Sequence, residues 1–266
     1  MDMQAPSLNL RNFESRLVLL GASNLTVGFP WVIKLAQGLW GDSIEILAAL
    51  GYGRSYGMQS RVLGRVLPGI LQSGLWEQLE KSGSKSTSAI VTDIGNDILY
   101  QVPVPQILDW VTECVRRLQH LGAKVVLTDL PLANLANLPE WRFTLCRSIL
   151  VPSCRLSLAE VARRARAVSK GLAHLAAETD AVLVIPRPEW YGFDPIHIRP
   201  GQWKNAWQSI LEPVNENVTL SSIPKAKVSE WVRFQLSLPE KQWLLKWEMR
   251  KPQPALRMGR SRVWLY

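Results

Sequence analysis

Five short apolar runs, each followed by turn residues or helical spacing, set the tightest limit on what this chain can fold into. They are RLVLLG at 16–21, SIEILAALG at 43–51, AIVTDIG at 89–95, AKVVLTDLP at 123–131 and AVLVIP at 181–186. Apolar runs of this length read as strands buried on both faces. Between them the spacing predicts helices over 27–40, 61–81, 106–121 and 156–178. Pro30 is tolerable in a first helical turn, Pro68 and Gly69 should break or kink the second helix, and Gly122 suits a C-terminal cap. Strands alternating with helices imply a parallel sheet covered on both faces. The expectation is therefore an α/β chain with three α/β/α layers and a mostly parallel five-stranded sheet.

In such sheets ligands bind beyond the carboxyl ends of the strands. That directs attention to GASN after the first strand, GYGRS after the second, GND after the third, and the segment reaching DPIH after the fifth.

Beyond His197 the texture changes. Six of the twelve tryptophans lie between 201 and 266, and PEKQWLLKWEMRKPQ (239–253) reads as a short amphipathic helix. The expected organisation is an α/β domain over 1–200 and a C-terminal extension over 201–266, packed on or beside the core.

Charge narrows the partners. Lys and Arg outnumber Asp and Glu by 31 to 22, and eleven of the basic residues follow position 200. No compact basic run with interleaved aromatics matches a nucleic-acid module, so no nucleic acid is expected. The tryptophans and basic residues of the tail suit a membrane-surface contact or a packed core, and the packed core is the simpler reading. Three cysteines without a C-x-x-C pair argue against a disulfide framework or a zinc site. No metal or organic cofactor is suggested. The polar N-terminal stretch and the lack of a long apolar segment lead to the expectation of a cytoplasmic protein.

Of the three histidines, His120 sits where a cation would complement a helix dipole and His174 lies inside a helix. His197 alone falls in irregular chain, three residues after Asp194. A one-turn D-P-I-H segment would set the carboxylate against one ring nitrogen and leave the other free to take a proton. Ser23 stands between a strand and a helix, where backbone N–H groups can stabilise negative charge. Asn96 could donate to an oxyanion, and Gly51 or Gly53 could bring a backbone N–H close. Each has a plainer role as well: Ser23 and Asp194 as helix caps, Asn96 and the glycines as turn residues.

Taken in order, GASNL (21–25), GYGRS (51–55), IGNDI (94–98) and DPIH (194–197) resemble the four blocks of the SGNH, or GDSL, hydrolases. Ala22 stands where that family has an aspartate, and Ile94 where it has a glycine. The resemblance implies a flavodoxin-like fold and an esterase acting on a small acyl ester. It makes Ser23 the nucleophile, His197 the base and Asp194 its orienter. Ser23 N–H, Gly53 N–H and the Asn96 side chain would form the oxyanion hole. An O-acyltransferase would use the same residues, and a non-catalytic binding protein could keep the same fold.

Overall fold

The computed structural model describes residues 15–62, 64–214, 228–244 and 247–266. The N-terminal stretch 1–14, on which part of the localisation expectation rests, lies outside them.

The elements run β1 (Ser15–Leu20), α1 (Ser23–Trp40), β2 (Ile44–Ala49), β3 (Ser60–Val62), β4 (Arg65–Leu67), α2 (Leu75–Lys81), β5 (Ser86–Val91), α3 (Asn96–Leu99), α4 (Val104–His120) and β6 (Lys124–Thr128). They continue as α5 (Leu132–Ala136), α6 (Glu140–Leu150), α7 (Leu158–Thr179), β7 (Val182–Val184), α8 (Trp203–Leu211), α9 (Val228–Gln235), β8 (Lys241–Leu244), β9 (Trp247–Arg250), β10 (Leu256–Met258) and β11 (Ser261–Leu265).

All five expected strands are present, in the spatial order β2-β1-β5-β6-β7 and parallel throughout. This is the flavodoxin-like order, in which the direction of winding reverses between β1 and β5. Two further strands join from the C-terminal segment. β11 pairs parallel to β2, with Arg262 opposite Glu45, and β10 closes that edge antiparallel. Among the described residues the central sheet thus has seven strands, not five. β11 finds its partner more than 200 residues earlier, beyond any local pattern, and β10 joins the sheet only through its short hairpin with β11.

Both faces of the sheet are covered, as the apolar runs require. Along β1, Leu17 and Leu19 pack with α1 and α8, while Val18 and Leu20 pack with α2, α4 and α7. Trp207 of α8 is fully buried. It seats over Gly28 of α1, where any Cβ would overlap the indole. The tail's tryptophans divide: Trp207 is core, whereas Trp231 and Trp247 are exposed.

Two helical expectations are corrected. Arg61–Lys81 is not one helix. It opens with the β3–β4 hairpin, turned at Gly64 in the left-handed region at φ 77°, and becomes helical only after Pro68 and Gly69. Residues 239–253 hold β8 and β9, part of a four-stranded antiparallel sheet β3-β4-β8-β9. Here Trp243 lies opposite Val66, so a distant strand, and not local amphipathicity, decides the conformation.

Candidate active site

α1 starts four residues earlier than its spacing suggested, at Ser23, which puts Pro30 well inside the helix. Ala22 at the N-cap has no side chain to cap the first turn. The cap comes from another strand end. Asp93, just past β5, accepts the N–H of Ala22 at 2.8 Å and that of Leu25 at 3.1 Å through Oδ2. Its backbone sits at φ 60°, a left-handed conformation uncommon outside glycine. Because β1 and β5 are neighbours at the point where winding reverses, their C-terminal turns meet there.

Asn24 extends this brace. Its side-chain amide donates to Asp93 Oδ1 at 2.8 Å and to the Ile196 carbonyl at 2.9 Å, and its oxygen accepts Ile198 N–H at 2.8 Å. The serine turn and the histidine segment are therefore pinned to each other by one side chain.

Within that frame, Ser23 Oγ lies 2.8 Å from His197 Nε2, and His197 Nδ1 lies 2.6 Å from Asp194 Oδ2. Asp194 Oδ1 accepts the backbone N–H of Ile196 and of His197, which fixes the carboxylate in its own turn. Burial by itself would raise the Asp194 pKa. The hydrogen bond and charge of His197, helped by those two N–H groups, outweigh it and lower the pKa. Burial alone would lower the His197 pKa. The hydrogen bond and charge of Asp194, with the charge of Asp93, outweigh that and raise it. This arrangement can draw a proton from Ser23 and hold it on an imidazole stabilised by a carboxylate.

Asn96 opens α3 and lines the same cavity as Ser23. Its Nδ2 is buried and has no hydrogen-bond partner. A buried donor left free is costly unless something else accepts from it, so it is poised for an acceptor in the cavity. The space measures about 110 Å³, and its wall is largely apolar, with Ile98, Leu130, Leu135, Val161 and Ala165 among its residues. Gly53 is not part of that wall. It sits in the turn after β2 at φ 61°, and its carbonyl accepts the hydroxyl of Tyr100. Asp97, fully buried, accepts Tyr56 N–H at 2.9 Å. Tyr100 and Asp97 thereby tie the glycine turn to the segment that carries Asn96.

Asp93 and Asn24 were absent from the expected site. The usable signals were indirect: a helix start without its own cap at Ala22, and an aspartate at the end of the strand that neighbours β1. Among the described residues no group of three His, Cys, Asp or Glu side chains is gathered to hold a metal, and no helix is long and apolar enough to cross a membrane.

No family model and no curated protein matches this chain. Solved structures do. One superposes with a TM-score of 0.52 at 13% identity, spanning 76% of this chain and 97% of the other. The chain shares the fold of that structure. It is also similar to the psychrotrophic esterase EstA from Pseudoalteromonas sp., solved inhibited by monoethylphosphonate, at 15% identity, 76% and 99% coverage and a TM-score of 0.47. AlinE4, described as an SGNH-hydrolase family esterase, follows at 15% identity, 82% and 91% coverage and a TM-score of 0.39.

Proposed function

We propose that this chain is a serine ester hydrolase acting on a small acyl ester through an acyl-Ser23 intermediate. The observation that carries the reading is the row Asp194–His197–Ser23, held at 2.6 and 2.8 Å at the carboxyl ends of the strands. Ser23 Oγ attacks the ester carbonyl while its proton passes to His197 Nε2. The resulting oxyanion is received by Asn96 Nδ2 and Ser23 N–H, which share the cavity, and by Gly53 N–H, a donor that the resemblance alone implies, since Gly53 is outside the cavity wall. The free Asn96 amide supports the first of these assignments. Collapse of the tetrahedral species breaks the bond to the alcohol, which leaves with the proton from His197. Water then repeats the sequence against the acyl-serine and releases the acid.

The test is labelling by a fluorophosphonate together with hydrolysis of a soluble activated ester. Wild-type protein should be labelled on Ser23 and should turn over the ester. Ser23→Ala and His197→Ala should each lose both, with kcat falling by about 10⁴-fold or more. Labelling and turnover that survive Ser23→Ala would sink the proposal. Titrating an alcohol acceptor into the same assay separates hydrolysis from acyl transfer.

A further inference from the structure

The helix α6 is packed inside out. Of its eleven residues only Phe143 is buried, and the face turned away from Phe143 is apolar. Trp141, Leu145 and Ile149 follow one another at four-residue spacing and are 63%, 45% and 70% exposed. Side chains at that spacing share one helix face. A surface helix ordinarily turns such a stripe toward the core.

The stripe continues onto the segment that carries the candidate base. Phe193, 58% exposed, lies with its ring centroid 6.1 Å from that of Trp141. Arg142 stacks on the Phe193 ring at 4.7 Å and donates to the carbonyls of Gly192 and Phe193. Asp194 comes next in the chain, and Pro195 and Ile196 line the cavity beside Ser23. The apolar face is therefore joined, through Phe193, to the segment that lines the cavity.

Charge says what this face suits. Between 139 and 155 the single acid is Glu140, and the arginines are at 142, 147 and 155; Arg147 faces inward, stacked on Phe143 and bonded to the Leu156 carbonyl, which leaves Arg142 and Arg155. Arg142 lies at the edge of the stripe, on the Phe193 ring. Arg155 is exposed just beyond the turn that closes α6, where Cys154 N–H reaches the Val151 carbonyl. Arg199, also exposed, runs beside Gly192, next to Phe193. Tryptophan and aliphatic side chains flanked by arginine are the composition of a helix that lies in a bilayer interface, and basic residues near an anionic leaflet are attracted to it. Two-fold pairing with a second copy would instead bring like-charged arginine rims together.

We propose that the outer face of α6, with Phe193, docks on an anionic lipid surface and so brings Ser23 to esters dissolved in that surface. The substrate half of this inference rests on the hydrolase reading above, and the docking half does not. The test is cosedimentation of the full chain with phosphatidylcholine vesicles, with and without about one-third phosphatidylglycerol. Binding should be seen with the anionic vesicles. It should fall about tenfold in the double variant Trp141→Ser/Ile149→Ser and in Arg155→Glu. Hydrolysis of a short water-soluble ester should stay within about twofold of wild type in these variants, since none of the three residues lines the cavity. Should the double variant fold poorly by circular dichroism, Arg155→Glu alone decides. Wild-type protein that ignores anionic vesicles, or a folded variant that binds them as wild type does, would overturn the proposal. So would a dimer in sedimentation velocity that Arg155→Glu or the double variant dissolves, since that would assign the face to a second copy. Vesicle binding in a protein with no ester turnover and no serine labelling would leave docking in place and remove the hydrolase reading alone.

Discussion

Asp93 holds the Asn24 side-chain amide at 2.8 Å, and Asn24 in turn links the helix that starts at Ser23 to the segment that carries His197. The same carboxylate caps the helix through Ala22 and Leu25. The cap that Ala22 cannot provide is thus supplied from the neighbouring strand end.

Removing that brace should disturb the spacing of Ser23 and His197 more than it disturbs the fold. Asp93→Ala and Asn24→Ala are each expected to lower kcat/KM by about 10²-fold, the scale of a small misplacement of reacting groups. Loss of a cap should cost about 1 kcal/mol of stability in Asp93→Ala. The rate of fluorophosphonate labelling and a urea unfolding curve check the two effects separately. Wild-type labelling in both variants would remove Asp93 and Asn24 from any positioning role.

Asn96 gives a contrasting signature. Its amide nitrogen has no partner to lose and is costly to bury free, so Asn96→Ala should leave the unfolding midpoint unchanged or raise it. As an oxyanion donor its removal should lower kcat by about 10²- to 10³-fold with little change in KM. A turn residue with no chemical task would show the reverse, a lower midpoint with kcat intact. Steady-state kinetics and thermal unfolding of the same preparation decide between the two.

The pH dependence follows from the raised His197 pKa. As general base His197 must be neutral, so kcat/KM should climb through an acid limb whose midpoint lies above the ordinary histidine value of about 6.5. Asp194→Asn removes the largest influence holding that value up, and the limb should move to lower pH while the plateau drops. Stability carries the same signs. The lowered Asp194 pKa adds stability above about pH 4 that disappears as pH falls through its folded value. The raised His197 pKa adds stability below about pH 6.5 that disappears as pH rises through its folded value. The pair therefore stabilises the fold most between those limits. Melting temperatures of wild type and Asp194→Asn should differ most near pH 5 to 6.

Asp97 runs the other way. Burial pushes its carboxyl up to about 6, partly offset by hydrogen bonds from Ser55 and from Tyr56 N–H. The folded chain thus favours the protonated form, and keeping the carboxylate ionised well above pH 6 costs about 3 kcal/mol. Asp97→Asn stays neutral and can still accept Tyr56 N–H. Relative to wild type, the variant should gain about 2 to 3 kcal/mol between pH 4 and pH 8. Denaturant titrations at both pH values measure this directly, and a difference that does not change with pH would refute it.

The parallel core and the residues of the proposed Ser23–His197–Asp194 row were legible because local signals carry them. Continuous apolar runs mark strands buried on two faces, and a histidine three residues after an aspartate in irregular chain is conspicuous where only three histidines exist. The supports around the site were not legible, because they depend on distant contacts. Asp93 caps a helix that begins roughly 70 residues before it. Trp243 is a strand residue because Val66 lies opposite it. Ser261–Leu265 is a strand because β2 has an open edge to receive it, and Leu256–Met258 then pairs with that strand. α6 was illegible for a different reason: its apolar residues lie on two opposite sides, Trp141, Leu145 and Ile149 on one and Phe143 and Leu150 on the other, so no single apolar face stands out.

The β2–β11 pairing also bears on when the molecule becomes competent during synthesis. Domains made on the ribosome tend to fold from the N-terminus onward. Here the chain up to position 200 already contains Ser23, Asn96, Asp194 and His197, yet the edge of β2 has nothing beside it. Arg54, next to Gly53, donates to the carbonyls of Leu50 and Tyr266, and Tyr266 N–H in turn reaches Ala48. The glycine turn therefore gains its last support only after the strand at 261–265 has left the exit tunnel. Until then β2 is an unprotected sheet edge, the kind of surface that chaperones shield and that other chains add to.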